Sequence, residues 1–171
     1  MGFLDKLFAG KQEEAVPAIE TEKNTIYAPV SGTSITLAEI NDGVFSDAVL
    51  GQGCGIKPDS ETVVAPFHGT ITQVADTKHA VGVLSDDGVE VLIHVGIDTV
   101  SMNGNGFSTH VKVGDKVKCG QKLLTFSRKA ITEAGFPDTT AIIVTNTDDY
   151  EAVTQEKTGA VAVSEKLLFM K

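Results

Sequence analysis

Tryptophan is absent from this chain of 171 residues, and cysteine occurs only twice, at Cys54 and Cys119. Two cysteines without metal-type spacing are expected to be free thiols of a reducing compartment rather than a disulfide framework. Cations are scarce as well: 14 Lys and Arg stand against 23 Asp and Glu, a formal net charge of −9. Nucleic-acid binding needs a basic patch on a basic domain and is not expected. No apolar run approaches the roughly 20 residues of a membrane-spanning helix. No signal-peptide core is visible either, so a soluble cytoplasmic protein is expected. The Gly-rich run AVLGQGCGIKPDS from Ala48 lacks the spacing and the Lys-Ser/Thr ending of a phosphate loop, and reads as close backbone packing.

What is present is mostly β pattern. With 42% apolar and 22% charged residues, the chain has an ordinary globular balance and the length for one domain with a real core. Val89, Val91, Ile93 and Val95 alternate with Glu90, Leu92, His94 and Gly96, the period of a strand with one buried face. The Val-rich run His79 to Leu84 precedes it, joined by the turn residues Ser85-Asp86-Asp87-Gly88. An even loop sets Leu84 opposite Val89, Val83 opposite Glu90, Val81 opposite Leu92 and His79 opposite His94. An odd loop would slip the register by one and put the two histidines on opposite faces.

Repeats support the same class. Ala-Pro-x-x-Gly-Thr begins at Ala28 and again at Ala65, each time between apolar strands, and KVKCGQKLLTF from Lys116 is matched by AVAVSEKLLFM from Ala160. The expected fold is an all-β antiparallel sandwich or barrel built on a pseudo-symmetric duplicated β unit. Helix is expected only as short turns near Ala38 to Asn41, Arg128 to Ala134 and Asp148 to Val153.

At the N-terminus, Phe3, Leu4, Leu7 and Phe8 fall at helical spacing, suited to an anionic membrane surface, the alternative being a tail that packs locally. Gln12 to Lys23 is acidic, contains Pro17 and reads as a linker. Of the four histidines, His110 and His68 read as surface residues. His79 and His94 are expected to touch. One imidazole can then act as nucleophile while the other donates to developing negative charge, or the pair can ligate Zn2+ if a third ligand is supplied.

TKHAVGV, VEVLIHVGIDTV, the APxxGT repeat, the GxGxxIKP segment and GNGF closely resemble the glucose-family enzyme IIA proteins of the bacterial sugar phosphotransferase system. The resemblance covers residues 24–171 and leaves 1–23 as the amphipathic segment and linker. It implies a β-sandwich of the duplicated hybrid type and a phosphotransferase. In it His94 takes a phosphoryl group from phospho-HPr and passes it to the enzyme IIB domain of a sugar permease. His79 would stabilise the phosphoryl group and serve onward transfer, and Thr77 would supply a hydroxyl to the network. Asp42 and Asp98 would meet the arginine of HPr, with Val44, Phe45, Val81 and Leu92 as docking residues. Ala75, Val81 and Leu92 stand where family members often carry phenylalanine, which implies a shallower rim. A monomer without a required cofactor is expected, at most peripheral to the inner face of the membrane. Regulatory targets bound in the dephosphorylated state could complete a zinc site on His79 and His94.

Two other classes share the β signals. A zinc endopeptidase of the LytM type needs His-x-His, which occurs nowhere, although His94 and Asp98 have its second spacing. VKVGDKVKCGQKL from Val111 resembles biotinyl- and lipoyl-carrier hairpins, but their modifiable lysine motif is absent.

Overall fold

The structure, a computed structural model, describes residues 19–171, so the expected N-terminal helix lies outside the described residues. The first half of the chain contributes β1 (Thr25–Tyr27), β2 (Gly32–Thr36), α1 (Leu37–Ile40), β3 (Gln52–Pro58), β4 (Thr62–Val64), β5 (Gly69–Val74) and β6 (Ala80–Ser85). The second half contributes β7 (Glu90–Val95), β8 (Phe107–Thr109), β9 (Lys116–Val117), β10 (Lys122–Phe126) and α2 (Arg128–Glu133). After these come β11 (Thr140–Val144), β12 (Val153–Gln155), β13 (Gly159–Val161) and β14 (Lys166–Met170). An eight-stranded antiparallel sheet runs β13-β2-β3-β11-β7-β6-β5-β9, and two three-stranded sheets run β1-β14-β12 and β4-β10-β8.

The duplication is written into the hydrogen bonds. Tyr27 N–H donates to Pro66 O while Val64 N–H donates to Pro29 O. Ala28 N–H donates to Glu165 O and its counterpart Ala65 N–H to Gln121 O. The eight-stranded order is palindromic in the same sense, with β11 and β7 at its centre and β13 and β9 at its edges. The two small sheets cover one face of the large one. Ile26, Val63, Leu123, Leu124, Leu167 and Leu168 pack there against Val91, Ile93, Val95, Ile142 and Val144 in one core. A second, smaller cluster lies on the opposite face, where Leu37 and Phe45 cover Ala141 and Ile143.

The β6–β7 register differs from the expected one by a single residue. Ala80 pairs with His94, Val81 with Ile93, Gly82 with Leu92 and Leu84 with Glu90. The loop is odd: Ser85 N–H donates to Val89 O, and Gly88 N–H donates to Ser85 O. Gly88 has φ +97°, the left-handed residue that closes a three-residue hairpin loop of the bulged type. The buried row Val89, Val91, Ile93 and Val95 is as expected, none more than 2% exposed.

Short helices begin where caps exist. Thr36 Oγ1 accepts from Glu39 N–H while Glu39 Oε1 accepts from Thr36 N–H, a capping box for α1. Ser127 Oγ accepts from Ala130 N–H at the start of α2. The helix expected over Asp148 to Val153 shrinks to a single turn at Thr147–Asp149, because Val153 and Thr154 pair with Met170 and Phe169 in β12. Another turn, Thr99–Met102, follows β7. Among the described residues no helix is long and apolar enough to cross a membrane. Cys54 and Cys119 are free and buried, and burial pushes their thiols up to about 12 and about 11.

Candidate active site

His94 lies on the face of β7 away from the main core, with Ala80 across the ladder on one side and Ala141 on the other. Two alanines leave lateral room above the strand. Aromatic rings fill it: Phe45 lies 5.0 Å from His94 between centroids, and His79 lies 4.6 Å away, nearly perpendicular at 80°.

His79 reaches this place by a route other than direct cross-strand pairing. It precedes the first residue of β6, and Lys78 before it is left-handed at φ +63°. Its carbonyl still accepts from Val95 N–H at 2.8 Å. Strict alternation along β6 would turn its side chain toward the core row of Val81 and Val83. Beyond the strand's first residue that alternation no longer dictates direction, so the two histidines meet despite the shifted register. His79 is 6% exposed and His94 half-buried.

Each ring is held through one nitrogen. His94 Nδ1–H donates to Gly96 O at 2.8 Å, which leaves Nε2 as the free lone pair. Gly96 has φ +80°, and a Cβ there would lie 2.3 Å from Thr99 Cγ2. Gly96 N–H donates to Thr139 O and Ile97 N–H to Pro137 O, so the backbone on both sides of the carbonyl under His94 is held, and the wholly buried Thr99 hydroxyl donates to Val95 O just before it. Thr77 Oγ1 lies 2.7 Å from His79 Nδ1.

The electrostatics keep both rings neutral near pH 7. Burial and the neighbouring His94 push His79 down to about 4. Burial also lowers His94, opposed by the Gly96 carbonyl and by the charges of Asp42 and Asp98.

The remaining candidates divide. Asp42 is half-buried, and its carboxylate accepts from the N–H groups of Val44, Phe45 and Ser46, so it fixes the loop that carries Phe45. Asp98 is exposed, at φ +63° just before the Thr99 turn. Val44 is 46% exposed, Phe45 is buried against His94, and Leu92 is half-buried beside the smaller cluster. Val81 is a correction: it is 0% exposed and faces the main core opposite Ile93, because the one-residue shift moves it off the Leu92 face. Thr99, Ala80 and Ala141 escaped the sequence reading. Only their small size signalled them. His68 is no free surface residue either: its Nδ1 accepts from Cys119 N–H and its Nε2 lies 3.1 Å from Ile19 O. His110 is exposed.

Residues 24–150 match the family described as phosphoenolpyruvate-dependent sugar phosphotransferase system, EIIA 1. The chain is 42% identical over 168 residues to the PTS system beta-glucoside-specific EIIBCA component of Bacillus subtilis, covering 98% of this chain but 27% of that protein. It is 38% identical over 163 residues to the PTS system glucose-specific EIIA component of Halalkalibacterium halodurans, covering 92% of this chain and 94% of that one. Among solved structures it resembles the glucose permease IIA of Mycoplasma capricolum, with a TM-score of 0.81, 37% identity, and 86% and 95% of the two chains covered.

Proposed function

The chain belongs to the phosphoenolpyruvate-dependent sugar phosphotransferase system EIIA 1 family, and we propose that His94 is its phosphoryl carrier, loaded by phospho-HPr and discharged onto the enzyme IIB domain of a glucose-type permease. One observation supports this most: His94 keeps Nε2 free while Gly96 O holds Nδ1–H, directly beside a second neutral imidazole.

In the loading step the lone pair of His94 Nε2 forms the new P–N bond as the donor's P–N bond breaks and its electrons return to the donor imidazole. The transition state is loose and its charge lies on the equatorial oxygens, so positioning and electrostatics carry the catalysis. Phosphorylation makes the His94 ring more cationic, and the Gly96 carbonyl on Nδ1–H stabilises that charge. With Thr77 donating to His79 Nδ1, the His79 proton sits on Nε2 and can be donated to a phosphoryl oxygen. Asp42 and Asp98 flank the site with negative charge suited to a cationic partner, and Val44 and Phe45 supply apolar contact. The donor and acceptor proteins place the transfer in the cytoplasm.

The test is intact mass after incubation with phosphoenolpyruvate, enzyme I and HPr. Wild type should gain one acid-labile phosphoryl group and His94→Gln none. An unmodified wild type, or a variant modified as well as wild type, would refute the assignment.

The endopeptidase alternative finds no support in these relatives, and among the described residues no group of three or more His, Cys, Asp or Glu could hold a metal ion. His79 and His94 supply two imidazoles, so zinc at this pair requires a partner's carboxylate. Zinc should then tighten a complex with a regulatory target, and unchanged affinity would remove that role.

A further inference from the structure

The two ends of the eight-stranded sheet are related by the duplication, yet their charge differs sharply. At one edge, Lys116 and Lys118 are exposed while Val117 and Cys119 between and after them are buried, so the two lysines project to the same side. Lys112 and Lys122, also exposed, lie on either side of them in sequence, before the turn that leads into β9 and at the start of β10. At the other edge Lys116 and Lys118 are replaced by their counterparts Ala160 and Ala162. Lysine is a common guard against edge-to-edge pairing, but the twin edge strand, Gly159–Val161, carries none, and the lysines beside it are paired. Edge protection alone therefore does not account for the cluster.

Pairing differs too. Lys166, the counterpart of Lys122, reaches Glu22 at 2.6 Å, and Lys157 reaches Glu165 at 3.5 Å. Among the described residues no carboxylate forms a salt bridge with Lys112, Lys116, Lys118 or Lys122. Asp115, within the stretch, is engaged as the acceptor of Lys112 N–H at 3.0 Å. Between Lys112 and Lys116 the turn presents Val113, 61% exposed.

We propose that this edge, Val113 with Lys112, Lys116, Lys118 and Lys122, docks the protein on an anionic lipid surface. An exposed apolar residue followed along the same edge by ammonium groups without salt-bridge partners is the chemistry of interfacial binding: the apolar residue enters the headgroup boundary and the cations meet acidic lipid. A chain with net charge −9 is repelled by such a surface as a whole, so it approaches through a local positive edge. β9 lies three strands from β7 in the sheet, about 14 Å at ordinary strand spacing. Docking by this edge leaves the His94 face free for protein partners. The inference does not depend on the phosphoryl-transfer reading, since none of these side chains lies among the groups around His94.

The experiment is flotation of the full chain with vesicles of phosphatidylcholine alone or with ~30% phosphatidylglycerol. Wild type should bind the anionic vesicles and lose binding at high salt. The variant carrying Lys112→Gln, Lys116→Gln, Lys118→Gln and Lys122→Gln should bind at least ~10-fold more weakly, given about fivefold per lysine near such a surface. Val113→Asp should weaken it as well, and Lys157→Gln with Lys166→Gln should not. Residues 1–18 are present in every variant, so any binding they confer is common to all. Equal binding by wild type and the four-lysine variant would overturn the proposal. So would absence of wild-type binding, or capture by an immobilised polyglutamate peptide in place of vesicles. Unchanged thermal melting of the variants would show that the fold is intact.

Discussion

The large sheet has two sides with opposite designs. On the inner side β7 and β11 present Val91, Ile93, Val95, Ile142 and Val144, with only Thr140 at the start of β11 polar, and all are almost wholly excluded from solvent. On the outer side β7 carries His94 between Ala80 of β6 and Ala141 of β11, with Gly82 of β6 beside Leu92, under a thin cover of Leu37 and Phe45. Stability and chemistry are therefore separated by a single residue step along one strand. A side that must be packed tolerates no gap, and a side that must admit a phosphoryl group and a partner protein needs small neighbours around its reactive ring.

Substitutions on the two sides of the sheet test that separation. Ile93→Ala removes a fully buried branch from the main core and should cost about 2–5 kcal/mol. In this chain that is a fall in melting temperature of roughly 10 °C, with phosphoryl acceptance intact below the transition. His79→Gln should do the reverse. Its melting temperature should stay near that of wild type, it should still accept a phosphoryl group, and donation to the IIB domain should fall about 100-fold or more. Equal loss of acceptance and donation in His79→Gln would show that His79 does not act selectively in onward transfer.

A smaller effect should follow on the outer side from filling the space beside His94. Ala141 is wholly buried directly opposite that residue, so Ala141→Val crowds the ring and Phe45, at about 1–3 kcal/mol. Transfer in single-turnover assays should slow roughly 10- to 100-fold, since displacement of a reacting group by a fraction of an ångström suffices. Ile142→Val, one residue along on the inner side, should cost about 1 kcal/mol and leave transfer unchanged. Equal slowing in both would mean that the outer side has no special tolerance for small residues.

Much of this division was legible in the sequence, and where it failed the cause is local. The alternation of Val89, Val91, Ile93 and Val95 identified the inner row because burial on one face imposes a strict period of two. The repeated Ala-Pro-x-x-Gly-Thr runs identified the duplication, since both copies must make the same turn against each other. The register was out of reach: whether Gly88 closes an even or an odd loop depends on its φ, and Ser85-Asp86-Asp87-Gly88 suits either. That one unknown sent Val81 to the wrong face. The meeting of His79 with His94 survived only because Lys78 bends the chain at the strand's start, a left-handed conformation that lysine does not advertise. Ala80 and Ala141 act only by leaving space, and Thr99 by a hydroxyl turned onto the Val95 carbonyl, and neither leaves a residue-type pattern to read.

The smallest expected effect concerns charge on the outer side. Burial lowers the pKa of His94, and Asp42 and Asp98 partly offset this by stabilising the imidazolium. Removing a carboxylate should therefore lower the pKa further, and the ring would stay neutral, hence competent to accept, to a more acid pH. Asp98→Asn is the cleaner variant, because Asp98 is exposed, whereas Asp42 also holds three backbone N–H groups. Proton NMR titration of the His94 ring reads the shift without any partner protein, so loss of a contact to HPr cannot imitate it. The midpoint should move to lower pH in Asp98→Asn, and the difference from wild type should shrink at high salt, since an exposed charge is screened. An unmoved midpoint at low salt would mean that Asp98 does not act on the ring at all. Any effect of that substitution on phosphoryl transfer would then belong to docking alone.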